Sequence, residues 1–219
     1  MKPAEFGALL SEEPRDAAGI DFRNRMGLLA ASLKATPNNL TELSFQIFES
    51  RLAFSREFHT PFAKMVEGTY EDRWDGVGEY AWSFGFRDEL RGKEIISIFE
   101  RNLEPKVDTW AFYYKQWTFL VYRAVGNYYI CHAHASEVPA IRRELERLWQ
   151  ASFMSISDLF RFEWLWYRAN PFGRAGASTG AVLSILLQKC LSYPYPKRYE
   201  KYDLEALSLP VEEYIRRRM

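Results

Sequence analysis

The segment from Ile156 to Ala169, ISDLFRFEWLWYRA, is apolar nearly all round. A helix with this pattern has no broad face to offer water and must lie centrally in whatever the chain builds. A second apolar segment, from Ser178 to about Leu191, follows after a short break and also reads as a buried helix. A chain of 219 residues has room for one sizeable core around such a pair. The expected fold is therefore mostly α: a single compact helical domain over 20–192, with room for one small β-hairpin. Residues 1–19 read as a flexible lead-in. Residues 193–219 read as an extended tail closed by a short helix.

The other elements follow from spacing and punctuation. Asp21 can cap a helix through about Ala35, with Phe22, Met26, Leu29 and Leu33 on one face. Asn39, with Glu42 three residues on, makes a capping-box arrangement for the next helix. KEIISIFERNL is a short amphipathic helix ended by Glu104-Pro105. Ser136, with Pro139 in the first turn, opens the helix VPAIRRELERLWQ. Between them, VDTWAFYYKQWTFLVYRAVGNYYICHAHAS admits two readings. As a helix, Trp110, Tyr113, Trp117 and Leu120 form a stripe. As strands, TFLVYRAV and YYICHAHA flank a two-residue turn at Gly126-Asn127. The spacing favours a helix up to about Trp117 and leaves a hairpin over Thr118–His134 open.

Composition removes several classes of function. Lys plus Arg number 29 and Asp plus Glu number 29, so the chain lacks the charge of a general nucleic-acid binder. No apolar run reaches membrane-spanning length, and the N-terminal stretch has no signal core. Two cysteines, Cys131 and Cys190, stand far apart, which sets up neither a zinc site nor a disulfide framework. A cytoplasmic, reducing location is expected. The 16 Phe, 13 Tyr and 7 Trp imply a bulky core, with some aromatics left to line a cleft or meet a partner.

The join between the two apolar helices is NPFGRAGAST. Pro171 biases Asn170 away from helix. Gly173 and Gly176 permit unusual backbone angles, and Ser178 or Thr179 can cap the helix that follows. The exposed N–H groups of such a helix start suit an anion, and Arg174, with Arg168 just before the loop, can supply a bidentate guanidinium. The candidate phosphate- or nucleotide-binding set is therefore Arg168, Asn170, Gly173, Arg174, Gly176, Ser178 and Thr179. No Gly-Lys-Ser/Thr follows, so the loop is not a nucleotide P-loop. Small residues at a sharp helix corner can also serve packing alone.

The same stretch resembles the core of the Fic/Doc proteins. There a helix ends in His-Pro-Phe, and an anion-binding loop, an Arg and a second buried helix follow. Asn170-Pro171-Phe172 stands where that motif falls, and the Thr118–His134 hairpin would match the flap that docks target segments by strand addition. The resemblance implies a degenerate group-transfer protein acting on another protein. Asn170 replaces the catalytic His and Ser178 stands at the loop's closing Arg, so AMP transfer by the usual route is not expected.

Other constellations carry less. His132 and His134 would share a strand face, with Glu57 or His59 as a further metal ligand, but metal binding is not expected. Glu71, Asp72 and Asp75 in YEDRWDG could hold Mg²⁺ for an isoprenoid-like diphosphate in an aromatic cleft; a solvated turn is the expectation. A non-catalytic module that binds another protein through exposed aromatics is the remaining alternative. The sequence names no cofactor. A phosphate-bearing small molecule and a protein are the partners it allows.

Overall fold

A computed structural model describes residues 17–57, 71–78, 80–85, 90–172, 176–195 and 201–219. The fold is mostly α with one small antiparallel sheet. The chain divides into two compact units. The first comprises Met1–Gly68, Glu146–Leu159 and Arg174–Glu200; the second comprises Thr69–Leu145, Phe160–Gly173 and Lys201–Met219.

The first unit is helical. It contains α1 (Ala17–Ser32), α2 (Leu40–Glu57) and α7 (Gly176–Leu191). Helix α7 buries Val182, Leu183, Ile185, Leu186 and Leu187, as its apolar sequence requires, and packs with α2 and α1. Met26 and Ala30 of α1 and Leu43, Ile47 and Phe48 of α2 are buried in the same unit. Helix α1 begins before Asp21, so Asp21 is not its cap. Helix α2 begins where Asn39 directs it, but the Asn39 side chain turns back onto the preceding loop. Its Oδ1 accepts from the Thr36 N–H at 2.8 Å and its Nδ2 donates to the Lys34 carbonyl at 3.0 Å. The Trp149 indole fastens that loop by donating to the Thr36 carbonyl at 2.7 Å.

The second unit holds the short helix α3 (Glu71–Trp74), β1 (Tyr80–Gly85), α4 (Leu90–Asn102), β2 (Thr109–Tyr114), β3 (Trp117–Ala124) and β4 (Asn127–His134). The strands form one antiparallel sheet in the order β1-β4-β3-β2. The hairpin expected from the sequence is β3–β4, embedded in a four-stranded sheet. The helical stripe through Trp117 is overturned. Burial in TWAFYY alternates, with Phe112 and Tyr114 inside and Tyr113 69% exposed, whereas the stripe would have buried Tyr113. Phe119 and Tyr114 meet Trp164 at 5.8 and 6.0 Å between ring centroids, and Phe99 of α4 meets Tyr128 at 5.3 Å.

The β3–β4 turn falls one residue earlier than the sequence indicates, at Val125-Gly126, because Ala124 pairs with Asn127. Both turn residues have positive φ, +51° for Val125 and +74° for Gly126. A β-branched residue is strained there, and Val125 is 97% exposed, so it gains nothing from burial. Val125→Asn is expected to raise stability by about 1 kcal/mol, read as a higher denaturant midpoint at constant slope.

Helix α5 (Val138–Ala151) is preceded by a single 3-10 turn, Ala135–Glu137. His134, rather than Ser136, provides the cap: its Nδ1 accepts from the Ser136 N–H at 3.2 Å, and the Glu137 carboxylate accepts from the His134 N–H at 3.2 Å. Helix α6 (Ile156–Ala169) is buried through most of its length, as its sequence demands. The tail is not simply extended. It forms α8 (Tyr202–Ala206) and α9 (Val211–Arg218). The α6 side chains hold it: Trp164 donates to the Leu209 carbonyl at 2.9 Å, and Glu163 accepts from Tyr214 and Arg218.

Candidate functional site

The last carbonyls of a helix have no partner within it. At the end of α6 three successive carbonyls are satisfied by side chains from elsewhere in the second unit. The Arg168 carbonyl accepts from His132 Nδ1 at 3.2 Å. The Ala169 carbonyl accepts from Arg73 Nη2 at 2.9 Å, and the Asn170 carbonyl accepts from Arg73 Nε at 3.0 Å. Arg73 Nη2 also donates to the Ala133 carbonyl of β4 at 2.5 Å. A cation at a helix C-terminus also suits the helix dipole. Burial lowers the Arg73 pKa to about 10, which leaves it charged at neutral pH.

Asn170 turns the chain. Its φ is +45°, and its N–H donates to the Trp166 carbonyl at 3.0 Å. Among non-glycine residues, Asn tolerates this left-handed position well. Phe172 is fully buried and stacks on Trp74, with centroids 5.1 Å apart and planes 7° from parallel. YEDRWDG and the NPF corner, separate in the sequence, are thus joined. Among the described side chains, the joining residues are Arg73 and Trp74. Asp75 is exposed, and the side chains of Glu71 and Asp72 lie outside the described residues.

Arg168 is fully buried and committed within the second unit. Its Nε donates to the Ala206 carbonyl at 2.9 Å, and its guanidinium sits 3.7 Å from the Phe112 ring centroid and 5.3 Å from that of Trp164. Its Nη1 and Nη2 make no hydrogen bond among the described residues. Burial pushes its pKa well below the ordinary value.

The remaining members of the candidate set belong to the helical unit or lie outside the described residues, as Gly173 and Arg174 do. Helix α7 opens at Gly176, so Ser178 and Thr179 stand inside its first turn and do not cap it. Gly176 and Thr179 are buried, and the Thr179 hydroxyl makes no hydrogen bond among the described residues.

His132 and His134 do share a face of β4, but His132 is occupied at both nitrogens. Ser83 Oγ lies 2.8 Å from Nε2, and Nδ1 faces the Arg168 carbonyl. A carbonyl can only accept, so Nδ1 carries the proton and Nε2 accepts from Ser83. His59 lies outside the described residues, and Glu57 pairs with Arg25. Among the described residues no three His, Cys, Asp or Glu side chains gather as a metal site would require. No helix among them is long and apolar enough to cross a membrane.

Burial, with the nearby Arg73 and Arg168 charges, lowers the His132 pKa from 6.5 to about 3. Between those values the unfolded chain binds a proton that the folded chain refuses. Stability from His132 is therefore complete above about pH 6.5 and is lost as pH falls toward 3, by on the order of 5 kcal/mol. His132→Gln, which does not titrate, is expected to flatten the fall in unfolding free energy between pH 6.5 and 4.

No protein-family model matches the chain, and no curated protein sequence matches it.

Proposed function

We propose that the chain binds a phosphate-bearing ligand, such as a nucleotide, at the first turn of α7, with Arg174 as its charged contact. The observation that carries this reading is the Thr179 hydroxyl. It is buried in that turn with no hydrogen-bond partner among the described residues, beside the small residues Gly176 and Ala177. A helix N-terminus favours an anion, and a guanidinium one residue before Ala175 adds a second, bidentate attraction. Arg168 is committed elsewhere: it is fully buried and its Nε donates to the Ala206 carbonyl.

Group transfer to another protein extends this reading. It is supported by the resemblance at Asn170-Pro171-Phe172 and by the β3–β4 hairpin. An Asn cannot deprotonate a hydroxyl, so such a protein binds its nucleotide and lacks the usual base. A thermal-shift series with nucleotides, with and without a protein target, tests both parts.

A second reading has its own observation. The outer face of the sheet presents Tyr113, exposed, and Tyr122 and Tyr129, half-buried, with no charged residue at the described positions of β2–β4 on that face. That composition suits a protein partner. Tyr113→Ala with Tyr122→Ala would abolish partner capture on this reading and leave nucleotide binding unchanged.

A further inference from the structure

We propose that Ser83 is a nucleophile toward activated esters, with His132 as its base and the Arg168 carbonyl orienting the imidazole. The geometry has the three parts such a site needs. The Ser83 hydroxyl lies 2.8 Å from Nε2 of His132, within proton-transfer reach. The opposite nitrogen donates to the carbonyl at 3.2 Å, which in the neutral ring places the proton on Nδ1 and leaves the Nε2 lone pair aimed at Ser83. Strand β1 is an edge strand, and Ser83 is half-buried on it while His132 is buried. Of the pair, the serine is the more exposed partner.

The groups that act on His132 define how the site works. Arg73 of α3 and Arg168 of α6 place positive charge near the ring from two elements, and Ser83 and the Arg168 carbonyl are its hydrogen-bond partners. That charge opposes an imidazolium, and a carbonyl is a weaker support for one than a carboxylate. The expected behaviour is stoichiometric acylation with slow turnover. In the step itself, Ser83 Oγ attacks the ester carbonyl carbon and the bond to the leaving oxygen breaks. The hydroxyl proton moves to His132 Nε2 and then to the departing alkoxide, giving acyl-Ser83 and an alcohol.

A fluorophosphonate probe tests this on the intact chain. Its P–F bond breaks as Oγ–P forms, fluoride leaves, and the proton passes through Nε2 to solvent. One adduct is expected, mapped to Ser83 by peptide mass spectrometry and absent in Ser83→Ala. His132→Gln is expected to slow it at least ~100-fold. Burial, with the Arg73 and Arg168 charges, lowers the His132 pKa to about 3, so the ring stays neutral and the rate on Ser83 in wild type stays flat between pH 5 and 8. An exposed histidine base would instead lose rate below about pH 6.5. Labelling of Ser83 in preference to the chain's other serines decides alone if His132→Gln fails to fold. The proposal is overturned by folded wild type with no Ser83 adduct or by an unchanged rate in folded His132→Gln.

Discussion

Replacing Arg73 by Met is expected to destabilise the protein by about 3–6 kcal/mol, much of what holds a domain of this size together. Arg73 is 4% exposed, and its guanidinium satisfies the carbonyls of Ala133, Ala169 and Asn170. Met keeps the apolar stem and removes all of those donors. Each buried carbonyl left without a partner costs about 1–3 kcal/mol. Arg73→Lys should recover little, because one ammonium cannot reproduce the spread of a planar guanidinium. Denaturant unfolding followed by tryptophan fluorescence reads the loss directly, since Trp74 and Trp166 both lie beside Phe172. A cost below about 1 kcal/mol would mean that water replaces Arg73 at those carbonyls.

Removing Arg218 is expected to cost a similar amount. Its side chain is 6% exposed and that of Glu163 is 2% exposed, and the two form a paired contact at 3.0 and 3.1 Å. Tyr214 donates to the same carboxylate at 2.7 Å, and Arg218 lies 3.3 Å from the Tyr202 ring centroid. Burial works against the Arg218 charge, but Glu163 outweighs it and holds the guanidinium pKa above its ordinary value. Arg218→Ala strands a buried carboxylate and should cost about 3–5 kcal/mol. Glu163→Gln combined with Arg218→Met removes both charges and should recover most of that. Equal losses in the single and double variants would show that packing on Tyr202, and not the charge pair, holds α9 in place.

The helices that the sequence revealed are those whose burial is written into their composition. ISDLFRFEWLWYRA could only be central, and α6 is. The β3–β4 hairpin was legible because Gly126 breaks two apolar runs, although Val125 took the turn position that Asn127 was expected to hold. Strand β2 was hidden because TWAFYY is aromatic at both helical and strand spacings, and only the pairing with β3 decides between them. Contacts to backbone carbonyls leave no mark in sequence spacing. Arg73 reaches Asn170 across 97 residues, and its neighbours Glu71, Asp72 and Asp75 drew the attention instead. Ser83 and His132 fail to announce themselves for the same reason, since their register is set by the β1–β4 pairing. In the candidate loop, Asn170 was correctly placed outside the helix. Arg168 could not be told from a loop-facing arginine, because one position on α6 decides whether a guanidinium faces Phe112 or solvent.

Calorimetric titration of ATP and inorganic phosphate into wild type and Arg174→Ala bears most directly on the anion site at α7. Wild type is expected to bind at millimolar concentration or tighter. Arg174→Ala is expected to remain folded and to lose about 1.5–3 kcal/mol of affinity, with Arg174→Lys recovering only part. No heat of binding from folded wild type at millimolar nucleotide or phosphate, or equal affinity in wild type and Arg174→Ala, would contradict the site.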